Sequence, residues 1–219
     1  MKSTLLECQR YLYVVLVLLF PIISYSQTPS EIKIGTQIWT SKNLDVSNFS
    51  NGDPIPEANS SEEWIKASEN ERPAFCYYNF DINNGKVYGK LYNWYVVNDP
   101  RGLAPKGYHI PSYEEWTILI NILGGEDQAG EKLKNKQGWK KNEKKSGNGN
   151  NRSGFNGLPG GNCTYEGVFQ EINYYGTWWS STHDGFNVSL CRSLLYHSKK
   201  IIWGGYTHSC GLSVRCIKD

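Results

Sequence analysis

The spacing of apolar positions changes several times along the chain, and each change marks an element. Residues 31–39, Glu-Ile-Lys-Ile-Gly-Thr-Gln-Ile-Trp, alternate on both sides of Gly35-Thr36, which predicts a short hairpin. Asn51-Gly52-Asp53-Pro54-Ile55-Pro56 is turn chemistry, and in the polar stretch 60–71 Glu62, Glu63 and Trp64 are placed to start a brief helix. Between 87 and 97, Tyr88, Leu91, Tyr92, Tyr95 and Val96 recur at helical spacing, so an amphipathic helix is predicted there, ended by Asp99-Pro100. The clearest helix follows His109-Ile110-Pro111. Ser112 and Glu115 form a capping box, Trp116, Leu119, Ile120 and Leu123 give one apolar face, and Gly124-Gly125 stops it. Residues 129–134 add one more turn.

After Trp139 the period disappears. Residues 140–153 contain no apolar side chain and read as a flexible, solvated loop. From Phe155 onward short strand signals alternate with turns, at 157–161, 168–169, 178–182, 188–195, 201–203 and 212–217. Helices early, strands late and one strand pair at the start predict a single α+β domain. It has antiparallel sheets, two main helices in the first half packed on one side, and long loops.

The first thirty residues do not belong to that pattern. Lys2 and Arg10 precede an apolar run at 11–23, followed by Ser24-Tyr25-Ser26-Gln27, which is the order of a secretory signal cleaved after Ser26. The run contains Pro21 and is shorter than the roughly 20 residues that span a bilayer, so no membrane span is expected after cleavage. The expected location is outside the cytosol, either secreted or in a cell envelope, in a periplasm or on the outer surface. Cys8 lies before the run and is removed with it, leaving Cys76, Cys163, Cys191, Cys210 and Cys216 where disulfides can persist, with their connectivity open.

Charge and composition exclude other classes. Across 219 residues, 23 Lys and Arg face 21 Asp and Glu, which gives no field to attract a nucleic acid. Only 39% of residues are hydrophobic, yet 14% are Phe, Trp or Tyr, so the core must rest on aromatic rings. The four His show no spacing that puts two ligands on one helix face, and no Gly-x-Ser-x-Gly elbow occurs. Glu62-Glu63, Glu114-Glu115 and Glu126-Asp127 sit where helix starts favour negative charge. Asp81-Ile82-Asn83-Asn84-Gly85 begins like a calcium loop, lacks its closing Glu, and reads as a turn. No catalytic residue, metal ligand or cofactor is therefore assigned. Sugar binding needs exposed rings beside amide groups, and the candidates are Trp178, Trp179, Asn187, Trp203 and Tyr206. Alternation sends Trp178 and Trp179 to opposite faces of one strand without saying which is exposed.

Several short motifs fall in one recognisable order. They are Ile34-Gly35-Thr36-Gln37-Ile38-Trp39, Tyr88-Gly89-Lys90-Leu91-Tyr92-Asn93-Trp94, Gly107-Tyr108-His109-Ile110-Pro111, Leu158-Pro159-Gly160-Gly161, Trp178-Trp179-Ser180-Ser181-Thr182 and Ser213-Val214-Arg215-Cys216. Over residues 31–219 the chain resembles the Fibrobacter succinogenes major paralogous domain. That resemblance implies a secreted or surface-attached bacterial module of undefined molecular function, contacting a glycan or an envelope protein and carrying no enzyme activity. The stretch from Gly107 to Trp116 and the closing Val-Arg-Cys are similar, more distantly, to formylglycine-generating enzymes. This implies a C-type lectin-like fold and, as an alternative function, a copper-dependent thiol oxidase using Cys210 and Cys216. The Glu-Pro-Asn and Gln-Pro-Asp tripeptides of calcium-dependent lectins do not occur. The resemblance further implies a disulfide between Cys76 and Cys216, with one of Cys163, Cys191 and Cys210 left free.

Overall fold

A computed structural model describes residues 29–143 and 145–219, so the signal sequence expected at 1–26 and Cys8 lie outside the described residues. The hairpin signal becomes β1 (Glu31–Ile34) and β2 (Gln37–Thr40), paired antiparallel around Gly35, whose φ of 61° only glycine adopts readily. Ser60 caps α1 (Ser61–Glu69) by accepting from the Glu63 N–H. The chain then forms β3 (Phe75–Cys76), α2 (Ile82–Tyr88), β4 (Leu91–Tyr92), α3 (Trp94–Val97) and β5 (Tyr108–His109). Next come α4 (Tyr113–Ile122), with the Ser112–Glu115 capping box in place, and α5 (Glu126–Leu133).

Three sequence readings are corrected here. The helix predicted over 87–97 is split into the end of α2, strand β4 and the single turn α3. Gly89 causes the break: its φ is 76° and it lies so close to Leu44 that a Cβ would sit 2.9 Å from the Leu44 carbonyl oxygen. Asp81 does not begin a bare turn. Its carboxylate accepts from the Asn83 N–H and caps α2. The turn expected at 129–134 is also the end of a full helix, α5, rather than a separate element.

The second half supplies β6 (Gly160–Cys163), β7 (Phe169–Ile172), β8 (Tyr175–His183), β9 (Val188–Leu195), β10 (Ile201–Thr207) and β11 (Ile217–Lys218). Together they make an α+β architecture of three sheets, in the orders β1-β2-β11-β5, β10-β9-β8-β6-β7 and β3-β4. All pairings are antiparallel except that of β6 with β8, through Gly161 and Gly176. The last strand lies between β2 and β5, because Ile217 pairs with Trp39 of β2 and with His109 of β5.

Helices cover both faces of the larger sheet rather than one. On one face Trp178 packs in a cluster with Trp39, Trp116 of α4 and Phe155, the Trp39 and Trp116 rings lying 4.7 Å apart. On the other, Trp179 meets Trp94 of α3 edge-on at 5.4 Å, beside Tyr92, Leu212 and Val214. The aromatic fraction thus builds two cores that share β8 as their common wall.

The segment 140–153 is irregular, as predicted, but it is tied down. Lys134 Nζ donates to Gly147 O at 2.8 Å, Trp139 N–H donates to Asn148 Oδ1 at 3.0 Å, and Gly149 N–H donates to Asn135 O at 3.0 Å.

The cysteines also depart from expectation. All five among the described residues are free thiols, and all are buried. The expected Cys76–Cys216 bridge is absent because the two sulfurs belong to different cores. Cys76 shares a cluster with Cys163, Trp64 and Leu91, whereas Cys216 lies with Tyr92, Trp94 and Val214. No helix among the described residues is long and apolar enough to cross a membrane.

Candidate recognition face

The five residues singled out from sequence fall on β8, β10 and the turn between β8 and β9, but the structure separates them by burial. Trp178 and Trp179 are both 0% exposed, so neither can meet a ligand. Their indole N–H groups are engaged internally, Trp178 to Asn43 Oδ1 and Trp179 to the Tyr92 carbonyl, both at 2.8 Å. The alternation argument correctly puts them on opposite faces, but it cannot show that each face is roofed. Tyr206 is half-buried against Trp179, and burial holds its phenol well above the ordinary value. Asn187 is exposed and serves the turn, with φ 57° and its carbonyl accepting from the His208 N–H at 3.1 Å.

Trp203 is different. It is 58% exposed and stands opposite Arg192 in the β9–β10 register, on the same face as Trp178. Gly204 and Gly205 follow it, so no bulky neighbour along the strand shields the indole. On the same face lie half-buried Leu190, across from Gly205, and Val188, across from Thr207. Past them, at the tip of the β8–β9 turn, Phe186 is 91% exposed. The floor beneath this apolar strip is held rigid by Arg192, itself 1% exposed. Its guanidinium lies 4.4 Å from the Tyr113 ring and bonds Glu126 at 3.2 Å and Thr117 Oγ1 at 3.0 Å. Its Nε finds no partner.

A concavity of about 860 Å³ lies elsewhere, between residues 40–52 and 103–106. Its lining includes Lys42, Asp45 and Lys106 but no His, Cys or Glu, and Phe49 there is buried under Arg101. It offers no pair of carboxylates and no open ring among the described residues. Among the described residues no group of three or more His, Cys, Asp or Glu is arranged to hold a metal ion.

The two thiols of the oxidase alternative lie in one cluster, around Trp94 and Trp179, with different immediate neighbours. Cys210 lies 3.3 Å from Thr207 Oγ1, at the end of β10, and Cys216 adjoins Arg215 before β11. Burial raises both, Cys216 up to about 12, so both are protonated thiols at neutral pH.

A scan against protein families decides what the chain is related to: the model of the Fibrobacter succinogenes major domain matches residues 32–218. The chain belongs to this family. No curated protein and no solved structure gives a significant match. Membership in the Fibrobacter succinogenes major domain family therefore accounts for the order of the motifs from Ile34 to Cys216, and it leaves the ligand open.

Sequence reasoning missed the residues that organise this family member from within. Arg215, 0% exposed, donates from Nε to Asn43 Oδ1 and from Nη1 to Thr40 O, both at 2.7 Å. It also reaches Phe155 O at 2.8 Å and Asn156 O at 3.2 Å. The signal was available in Ser213-Val214-Arg215-Cys216-Ile217, where a charged residue interrupts an apolar closing strand. His109, noted only as a flank of α4, is held between Asp219 and Glu115, at 2.7 Å from each.

Proposed function

We propose that the chain is a non-catalytic recognition module of the bacterial cell envelope, secreted or surface-exposed, with a C-type lectin-like fold. It contacts a glycan or an envelope protein through the apolar strip of β9 and β10. One observation carries this reading: Trp203 stands exposed over a rigid floor, while Trp178, Trp179 and their surroundings are closed. An indole fixed on a strand offers a flat, preformed surface for a sugar ring or an aliphatic side chain, at little cost in ordering. The lectin-like fold is supported by the pairing of β2 with β11, which joins the first strands to the last, and by the long irregular connections between the sheets. The envelope location is supported by the leader-like sequence at 1–26.

The test is a glycan array and an envelope-protein pull-down with the purified chain and its Trp203→Ala variant. Binding by the parent chain that Trp203→Ala abolishes supports the reading. Binding that is indifferent to Trp203, or a turnover activity retained in the variant, refutes it.

A further inference from the structure

β10 is the outermost strand of the larger sheet, and among the described residues no strand pairs with its outer side. The direction of its free backbone groups follows from its neighbours. The His208 N–H donates to the Asn187 carbonyl at 3.1 Å, one step beyond the facing pair Thr207 and Val188. In an antiparallel ladder, residues bonded to one neighbour alternate with residues whose N–H and C=O point the other way. Ile202, Gly204 and Tyr206 are thus bonded toward β9, and Ile201, Trp203, Gly205 and Thr207 present their N–H and C=O outward. Of these groups only the Thr207 carbonyl is engaged, by the Cys210 N–H at 2.9 Å.

Natural edge strands are usually blunted by charge, by proline or by brevity. Ile201–Thr207 has seven residues, none charged and none proline, and carries Ile202 and Trp203 exposed on its two faces. We propose that β10 pairs antiparallel with β10 of a second copy of this chain, about a two-fold axis through Gly204, so that two sheets become one.

The strand is self-complementary in that register. Trp203 falls opposite the partner's Gly205, so each indole covers a position without a side chain, a pairing that stabilises glycine on a strand. Ile202 falls opposite the partner's Tyr206, and Gly204 meets its own copy, where the missing Cβ permits close approach. The outward-facing groups of Trp203 and Gly205 meet each other, N–H to C=O, on both sides of the axis. No like charges oppose one another. Lys200 falls opposite the partner's His208, whose pKa burial lowers, so it is neutral at neutral pH. Lys199 and Lys200 are engaged within their own chain, by Glu131 at 3.0 Å and Asp127 at 2.7 Å. An axis normal to the sheet keeps both Trp203 side chains on one face, so pairing would set two indoles side by side. The contact uses strand edges and leaves that face open, and it stands or falls independently of the ligand reading above.

Sedimentation equilibrium and concentration-dependent amide exchange on the purified chain test the pairing. The expected result is a mass that rises from monomer toward dimer with concentration, with slowing exchange at the amides of Trp203 and Gly205. Ile202→Lys puts a charge on the edge without touching Trp203; it should hold the chain monomeric and restore fast exchange, with the thermal midpoint of the dilute protein unchanged. Trp203→Ala should weaken the dimer at least tenfold. A monomer at every concentration overturns the proposal, as does a dimer indifferent to Ile202→Lys or one whose Trp203 and Gly205 amides still exchange fast. Protection of those amides in a species of monomer mass would place residues of the same chain on the edge and overturn it equally.

Discussion

Replacing Arg215 puts two opposing effects on a scale. The guanidinium is fully buried, stacks 4.4 Å from the Phe155 ring and is bonded to four acceptors, all neutral. Burial alone pulls its pKa down to about 9, which expresses the desolvation cost of a cation with no carboxylate beside it. If that cost dominated, Arg215→Met, which keeps the stem and removes the charge, would be neutral or stabilising, as happens when some buried ions are replaced by apolar side chains. The acceptors argue for the opposite. Asn43 Oδ1 keeps the Trp178 N–H, and Asn156 is half-buried, so its carbonyl can turn to water. The carbonyls of Thr40 and Phe155 belong to buried residues and each loses a charged donor, at about 1–3 kcal/mol for each group left unsatisfied. Arg215→Met is therefore expected to cost about 2–4 kcal/mol, and Arg215→Ala about 2–5 kcal/mol more through lost packing. Against a typical domain stability of about 5–15 kcal/mol, that is a large fraction. Urea unfolding followed by tryptophan fluorescence measures it, with the slope m checked for constancy. A value for Arg215→Met within about 0.5 kcal/mol of the parent, or any stabilisation, would refute the reasoning.

Four further outcomes follow from named contacts. His109 is lowered by burial, but its hydrogen bonds to Asp219 and Glu115 outweigh that and leave its pKa raised. Its contribution is thus complete below the unfolded value of about 6.5 and is lost as pH rises through the higher folded value; the urea midpoint should fall slightly between about pH 6 and pH 8.5, and His109→Asn should remove that fall. Because the ring is partly exposed, the effect should stay below about 1 kcal/mol. Trp179→Ala should cost about 3–5 kcal/mol and Trp203→Ala less than about 0.5 in chemical denaturation of dilute protein; equal costs would contradict their burial. Gly89→Ala should destabilise by about 1–3 kcal/mol in the same assay, since φ 76° and the Leu44 carbonyl leave no room for a methyl group. In peptide maps of air-oxidised protein, any bridge from Cys76 should run to Cys163, which shares its cluster; a Cys76–Cys216 peptide would contradict the separation of the two thiols.

What the sequence revealed and what it hid divides along physical lines. Caps and turns were legible because they are local: the Ser112–Glu115 box and the Gly35 turn depend on residues three or four apart. The helix expected over 87–97 failed because Leu91 and Tyr92 have helical spacing but are claimed by Phe75 and Cys76 across a strand pair, a contact that no window contains. Trp178 and Trp179 could be assigned to opposite faces from local geometry. That both faces are covered depends on Trp116 and Trp94, far away in sequence. The exposure of Trp203 is equally non-local, since strand alternation gives its face and not what covers that face.

The same distinction explains how a chain with few apolar residues holds so many irregular connections. Backbone carbonyls in loops lack ladder partners, and burying them unsatisfied would be costly. Here basic side chains supply the donors. Arg215 ties Thr40 to the 155–156 turn, and Lys134, 3% exposed, binds the carbonyls of Gly147, Leu195 and Ser198. Lys90, 2% exposed, binds the Asp45 carbonyl and Ser47, while Arg192 joins α4 to α5. Burial lowers Lys134 to about 8, and the ammonium persists at neutral pH because three carbonyls converge on it. Positive charges that in a sequence count look available for an acidic partner are thus engaged inside, between loops. The indole of Trp203, 58% exposed, has no such internal task among the described residues, and this is what singles it out for the proposed recognition role.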